Sequence, residues 1–204
     1  MSFMRNKQIK RIQEIEDFIA ETWGQFERKA TLGFDKYVFR FIDILPTEER
    51  PYHVLMSVGF SNIKCKAMPP KIAGAEFFCV MPKDWEFTED DDYENGWFYQ
   101  VYEAIAGLLR DNKGFAPGGT LKFTHLHNGS RQNAIVEDIL EDKYPSGMSV
   151  GRGKSIVFFA LQTATEDEYD CLVKDDEEVL RKISSLPCID FNRASVIDEP
   201  ASQN

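Results

Sequence analysis

Residues 75–82 read Ala-Glu-Phe-Phe-Cys-Val-Met-Pro, a β-prone apolar run with one carboxylate inside it and a proline at its end. Pro82 cannot donate to a strand ladder, so the run closes there. Glu76 sits among residues that a sheet buries, and a buried carboxylate needs a cation or hydrogen-bond donors; Arg193 is one candidate. Upstream, residues 37–45 (Tyr-Val-Phe-Arg-Phe-Ile-Asp-Ile-Leu) and 52–58 (Tyr-His-Val-Leu-Met-Ser-Val) are rich in β-branched and aromatic residues. Pro46 to Pro51, polar and proline-bounded, joins them, which predicts neighbouring antiparallel strands. The segment from Ser61 to Gly74 carries too many prolines, glycines and lysines for a regular element and is predicted as an exposed loop.

Ahead of these strands, Ile9, Ile12, Ile15, Phe18, Ile19, Trp23 and Phe26 recur at spacings of three and four, predicting an amphipathic helix over Lys7 to Leu32. Downstream, Trp97 to Arg110 is a second helix, with acids before its start, a basic last turn and Gly114 after its stop. Then come a turn at 115–119, a short strand at 120–125, a turn at Asn128 and Gly129, and a run at 134–140 that fits either strand or helix and is read as strand because it sits between two turn clusters. Residues 155–161, Ser-Ile-Val-Phe-Phe-Ala-Leu, read as a buried strand. Thr165 with Glu168 forms a capping box opening a helix that runs to about Ser184, and Cys188 to Phe191 could add an edge strand. The order is helix, three strands, helix, further strands, helix. It predicts an α/β (α+β) fold, a mixed, largely antiparallel sheet with helices packed on it. Residues 1–193 read as one domain, and 194–204 as a disordered tail.

The 204 residues are 43% apolar and 13% aromatic, enough for one sizeable core. No stretch nears the roughly 18 uninterrupted apolar residues of a membrane span, and the N-terminus becomes charged helix where a signal peptide needs an apolar block. The expectation is a cytoplasmic protein with no membrane partner. Cys65, Cys79, Cys171 and Cys188 lie far apart without a CxxC, so they read as reduced, mostly buried thiols. Thirty-four acidic residues against 24 basic give a net charge of −10, which opposes direct nucleic-acid binding and suits a basic partner or simply solubility.

Three features imitate catalytic or ligand chemistry. Gly151-Arg-Gly-Lys-Ser155 looks like the end of a P-loop, but Met148 stands where its first glycine belongs and a strand, not a helix, follows; a basic hairpin loop is the expectation. His125 and His127, two apart on an extended segment, could share a side and supply two ligands of a metal-dependent hydrolase. A third ligand at a recognisable spacing is missing, however, and the neighbouring Asn128-Gly129 marks a turn. His53 lies inside an apolar strand and reads as a satisfied sheet residue. With no GxSxG elbow, no cysteine close to a histidine in sequence and no evident carboxylate pair, the sequence offers no catalytic set, no metal site and no cofactor.

The unusual segment follows Pro82. Trp85, Phe87, Tyr93, Trp97 and Phe98 surround the acidic residues Glu89, Asp90, Asp91, Asp92 and Glu94. Large rings give contact area and acids select a basic counterpart, so Trp85, Phe87 and residues 89–94 are the candidate partner-binding residues. The alternative is that the tryptophans are core and the acids cap the next helix.

The chain from about Tyr37 to Arg193 resembles the suppressor of fused domain in the order and spacing of several pieces. These are residues 52–62 with their Gly59 and Ser61 turn, residues 74–85 with Glu76, Pro82 and Trp85, the aromatic helix from Trp97, and the closing Asp190 and Arg193. These signature positions read as structural: Gly59 permits positive φ, and Ser61 could cap the loop through its hydroxyl. The resemblance implies a non-enzymatic binding protein. Animal members restrain a transcription factor by gripping a peptide as an added strand between two halves, of which this chain matches the N-terminal one. Stand-alone bacterial members are thought to act as immunity proteins that neutralise a cognate toxin of a polymorphic toxin system. A basic toxin domain would match the acidity here.

Overall fold

The apolar runs pair into an eight-stranded sheet in a computed structural model, which describes residues 2–86, 97–114, 119–121, 133–137, 146–190 and 193–197. In chain order the elements are α1 (Ser2–Thr22), β1 (Phe26–Phe34), β2 (Tyr37–Ile44), β3 (His53–Val58) and β4 (Ile72–Met81). After these come α2 (Trp97–Arg110), β5 (Thr120–Leu121), β6 (Asn133–Glu137), β7 (Gly147–Gly151), β8 (Lys154–Ala164), α3 (Glu166–Leu172) and α4 (Glu177–Ser184). The strand order is β1-β2-β3-β4-β8-β6-β5, with β7 also pairing β8. Among the described pairings only β4 with β8 is parallel, so the sheet is mixed and largely antiparallel, as the sequence predicts.

The period-two alternation of the strands sorts the core into two layers. Phe39, Phe41, Leu55, Phe77, Cys79, Phe159 and Leu161 face α2, whose Phe98, Val101, Tyr102, Ile105 and Leu109 cover them. Ile42, Ile44, Val54, Met56, Phe78, Ile156 and Phe158 face the other way, against Ile12, Ile15, Ile19 and Trp23 of α1. Both faces of β3, β4 and β8 are covered, which explains why residues 75–81 carry almost no polar side chain. A smaller cluster of Ala164, Leu172, Val179, Ile183 and Val196 seats α3 and α4. The four cysteines are free thiols; Cys79 is buried, which pushes its pKa up to about 12, and the other three are half-buried.

Four local expectations are corrected. The first helix does not reach Leu32. Gly24, at φ 103°, closes α1 onto Ile19 O, and Phe26 to Phe34 form β1 instead, with Phe26 packing on the same core as Trp23. The segment after Ser61 is not wholly exposed, because Ile63 and Met68 are buried beneath α2. The C-terminal helix is two helices: Asp175 takes φ 61°, and the Asp176 carboxylate accepts from Glu178 N–H and Val179 N–H to start α4 anew. Cys188 and Ile189 form no strand; one backbone bond, from Ile189 N–H to Val80 O at 2.8 Å, ties them to β4. Beyond Arg193, Val196 is buried in the cluster that seats α3 and α4.

The expected basic hairpin is present as β7–β8. Gly151 pairs with Lys154, and Arg152 and Gly153 adopt φ 54° and 68°, the two positive angles of a type I′ turn. The Asn128-Gly129 turn and most of the strand expected at 120–125 fall outside the described residues.

Candidate partner-binding site and the buried carboxylates

Beyond Met81 the chain turns at Pro82, whose carbonyl accepts from Trp85 N–H at 3.1 Å. That turn leaves the Trp85 ring half-buried, edge-on to Phe98 of α2 at 5.9 Å and to His53 at the start of β3 at 5.8 Å. His53 Nδ1 lies 2.9 Å from Asp43 Oδ1, so the histidine is held by a buried carboxylate, the satisfied sheet residue that its apolar strand predicts. Lys29 joins them, 3.5 Å from Asp43 and 2.8 Å from Glu27. Burial pulls the Lys29 pKa down, but its bonds to Glu27 and Asp43 outweigh this and leave it raised, while the bond from Lys29 holds Glu27 low. The result is a tryptophan standing on a hydrogen-bonded polar base, with exposed Asp84 and Glu86 beside it. Phe87, Glu89, Asp90, Asp91, Asp92, Tyr93 and Glu94, and equally His125 and His127, lie outside the described residues. Among the described residues no group of three His, Cys, Asp or Glu side chains could hold a metal ion.

The signature residues Gly59, Ser61 and Glu76 come together at the opposite end of β4. β3 ends at Val58, and a single 3-10 turn over Phe60–Asn62 wraps around the Glu76 carboxylate. Gly59 N–H donates to Glu76 Oε1 at 2.9 Å, Ser61 N–H to the same oxygen at 3.1 Å, and Phe60 N–H and the Ser57 hydroxyl to Oε2 at 3.1 Å. This is an anion nest whose anion is part of the protein. Glu76 is fully buried, and burial pushes its pKa up to about 7 against the opposing pull of the Gly59, Ser61 and Phe60 bonds. The partner of Glu76 is therefore this backbone and not Arg193. Ser61 donates to Glu76 through its backbone amide. Glycine is required twice: Gly59 has φ 120°, and a Cβ there would lie 2.6 Å from Val38 O, whereas a Cβ on Gly74 would lie 2.6 Å from Ser61 Cα.

Arg193 instead forms a fork on Glu168, Nη1 to Oε1 at 2.6 Å and Nη2 to Oε2 at 2.7 Å. The same carboxylate accepts from Thr165 N–H, completing the predicted capping box, and from Val196 N–H. Burial would raise the Glu168 pKa, but the bonds from Arg193, Val196 and Thr165 together hold it below its usual value. A third carboxylate, Glu16, had no part in the sequence reading. It lies buried on the apolar stripe of α1 between Arg28 (2.7 Å) and Arg40 (2.9 Å). The signal available was a glutamate between Ile15 and Ile19 with two arginines in the strands that follow. Each of these carboxylates is consumed in holding the fold.

No family model matches the chain, and no curated protein does. Solved structures do. A protein described as a SUFU (suppressor of fused protein) homolog from Neisseria gonorrhoeae superimposes with a TM-score of 0.62 at 18% identity, covering 92% of this chain and 97% of its own. The chain has a suppressor-of-fused-like fold. The Sufu-Fu complex supplies a second match, with a TM-score of 0.60 at 13% identity over 84% of this chain and 82% of that one. Within the suppressor-of-fused-like fold the signature positions divide by place. Gly59, Ser61 and Glu76 build the nest, Pro82 and Trp85 form the turn at the other end of β4, and Arg193 locks the C-terminal segment onto α3. Asp190 follows the Ile189 bond to β4, and its charge and that of Asp84 add to burial in raising the Cys188 pKa.

Proposed function

We propose that this chain is a non-enzymatic, cytoplasmic protein-binding domain that neutralises a basic toxin domain as an immunity protein. The observation that carries the reading is the Trp85 turn. A half-exposed tryptophan is held rigid by Phe98 and the His53–Asp43 pair and is flanked by exposed Asp84 and Glu86, the make-up of an anchor for a basic surface. The sequence adds Phe87 and the acids 89–94 directly after it. A fold shared with a protein solved in a complex with Fu supports protein binding as the purpose. The test is co-expression with the C-terminal toxin domain of a secreted protein encoded next to this gene. The intact chain rescues growth and binds the domain, whereas the variant Trp85→Ala with Asp84 and Glu86 neutralised loses at least about tenfold in affinity, equivalent to ~1.4 kcal/mol. Absence of both binding and rescue by the intact chain refutes the immunity role.

A second reading, capture of a linear peptide by strand addition, is favoured by β1. Its outer edge pairs with no strand among the described residues, and a register shift between Arg28 and Ala30 leaves Ala30 to Phe34 as a regular free edge. Amide shifts along β1 on adding partner peptide would select this reading, and shifts confined to the Trp85 turn would reject it.

A further inference from the structure

The topology sorts the connections between strands by charge. The β3–β4 connection, the β7–β8 hairpin and the C-terminus of α2 meet at the end of the sheet where β4 and β8 begin: Lys66 N–H donates to Asn112 Oδ1 at 3.2 Å, the Cys65 thiol to Lys113 O at 3.4 Å, and Ser155 N–H to Lys71 O at 3.0 Å. These contacts bring Lys64, Lys66, Lys71, Lys113, Arg152 and Lys154 onto one exposed surface. No acidic residue occurs between Ser61 and Ala75 or between Ser146 and Val157. Asp111, the acid within the α2 contribution, is paired with Arg110 at 3.2 Å. At the other end of the strands lie exposed Glu48, Glu49, Asp84, Glu86 and Asp190. A chain of net charge −10 thus gathers cations at one pole.

We propose that this lysine-rich pole is a second docking surface, whose ligand is an acidic segment of a protein. Charge complementarity selects the class. Nucleic acid fits poorly, because among the described residues the pole has no exposed aromatic ring for base stacking, its cations are five point-charge lysines to one arginine, and the net charge of −10 repels phosphate. An anionic bilayer also fits poorly: the exposed large apolar side chains among the described residues are Ile9, Val173 and Ile197, none of them in these loops. The surface is preorganised. The Glu76 nest fixes the start of the 59–71 connection, buried Ile63 and Met68 pin its middle, and the parallel pairing of β4 with β8 fixes its end.

The experiment uses the full chain and a fluorescein-labelled poly-glutamate peptide at low ionic strength, with a single-stranded oligonucleotide and phosphatidylserine vesicles as competing probes. The peptide binds, its affinity falls as salt rises, and Lys66→Glu/Lys71→Glu/Lys154→Glu weakens it by at least about tenfold, with the matching glutamine variant in between. The reversal of exposed Lys83 and Lys174, distant in the chain from this pole, leaves binding unchanged. All the substituted side chains are exposed, and circular dichroism confirms that each variant is folded. The proposal is overturned if the peptide does not bind, if the Lys83/Lys174 reversal weakens it as much, or if oligonucleotide or vesicles bind more tightly. Because the poly-glutamate assay involves no toxin, its outcome is independent of the immunity reading.

Discussion

Glu76 is a fully buried carboxylate held by backbone amides and one hydroxyl. Its folded pKa, about 7, lies above the ordinary carboxylate value of 4.5, so between these pH values the folded chain holds a proton that the unfolded chain has released. Stability from this group is fully present below pH 4.5 and falls as pH rises towards 7, by roughly 3 kcal/mol at most. Chemical unfolding of the intact chain and of Glu76→Gln across this range should give curves whose difference carries that slope. A difference independent of pH would show that Glu76 titrates normally. The glutamine variant should also be less stable at every pH, because its NH2 group replaces one carboxylate oxygen and faces donors, either the Gly59 and Ser61 amides or the Phe60 amide and the Ser57 hydroxyl. Glu168 has the opposite sign: its lowered pKa contributes stability above the unfolded value that is lost in acid. At this scale the sequence exposed the problem of Glu76, a carboxylate within an apolar run, but not its solution. Donors supplied by main-chain amides leave no trace in side-chain identity, which is why Arg193 looked like the partner.

Elements were legible where one periodicity ran without interruption. α2 begins and ends at Trp97 and Arg110, as expected, because its pattern is flanked by clear signals, and β2, β3 and β4 fall within a few residues of their sequence bounds. The reading failed where two periods overlapped. Trp23 and Phe26 are three apart in the helical count, yet the chain reverses at Gly24 between them and both reach the same core from different elements. Asp175 and Asp176 similarly hid a break within a continuous helical pattern. The Gly59 turn is sensitive to substitution. Gly59→Ala must hold a Cβ at φ 120° against the Val38 carbonyl, and a cost of about 2–3 kcal/mol should lower Tm by roughly 5–10 °C. Thermal unfolding with an unchanged midpoint would contradict the tight wrap of this turn around Glu76.

At the scale of the whole molecule the sequence conveyed the total charge but not its division, because polarity depends on which connections share an end of the sheet. On the proposed immunity reading, an acidic pole would accelerate encounter with a basic toxin, and the association rate should then fall steeply between low and physiological salt while dissociation changes little. Stopped-flow mixing that shows a salt-insensitive association rate would remove any steering role from the acidic end. The site itself was only partly legible. Trp85 could be placed because proline and glycine punctuate its surroundings, whereas the lysines of the other pole are spread over three segments and gather only when β4 meets β8.

That meeting also bears on how the protein is made. β4 finishes at Met81, and its parallel neighbour β8 begins at Lys154, so about seventy residues must leave the ribosome before the pair can form. At ~5–20 residues per second, an open edge of Phe77, Phe78, Cys79 and Val80 is exposed to the crowded cell for roughly 4–15 s. Nascent chains are therefore most prone to mispair with one another while their central strand waits for its neighbour.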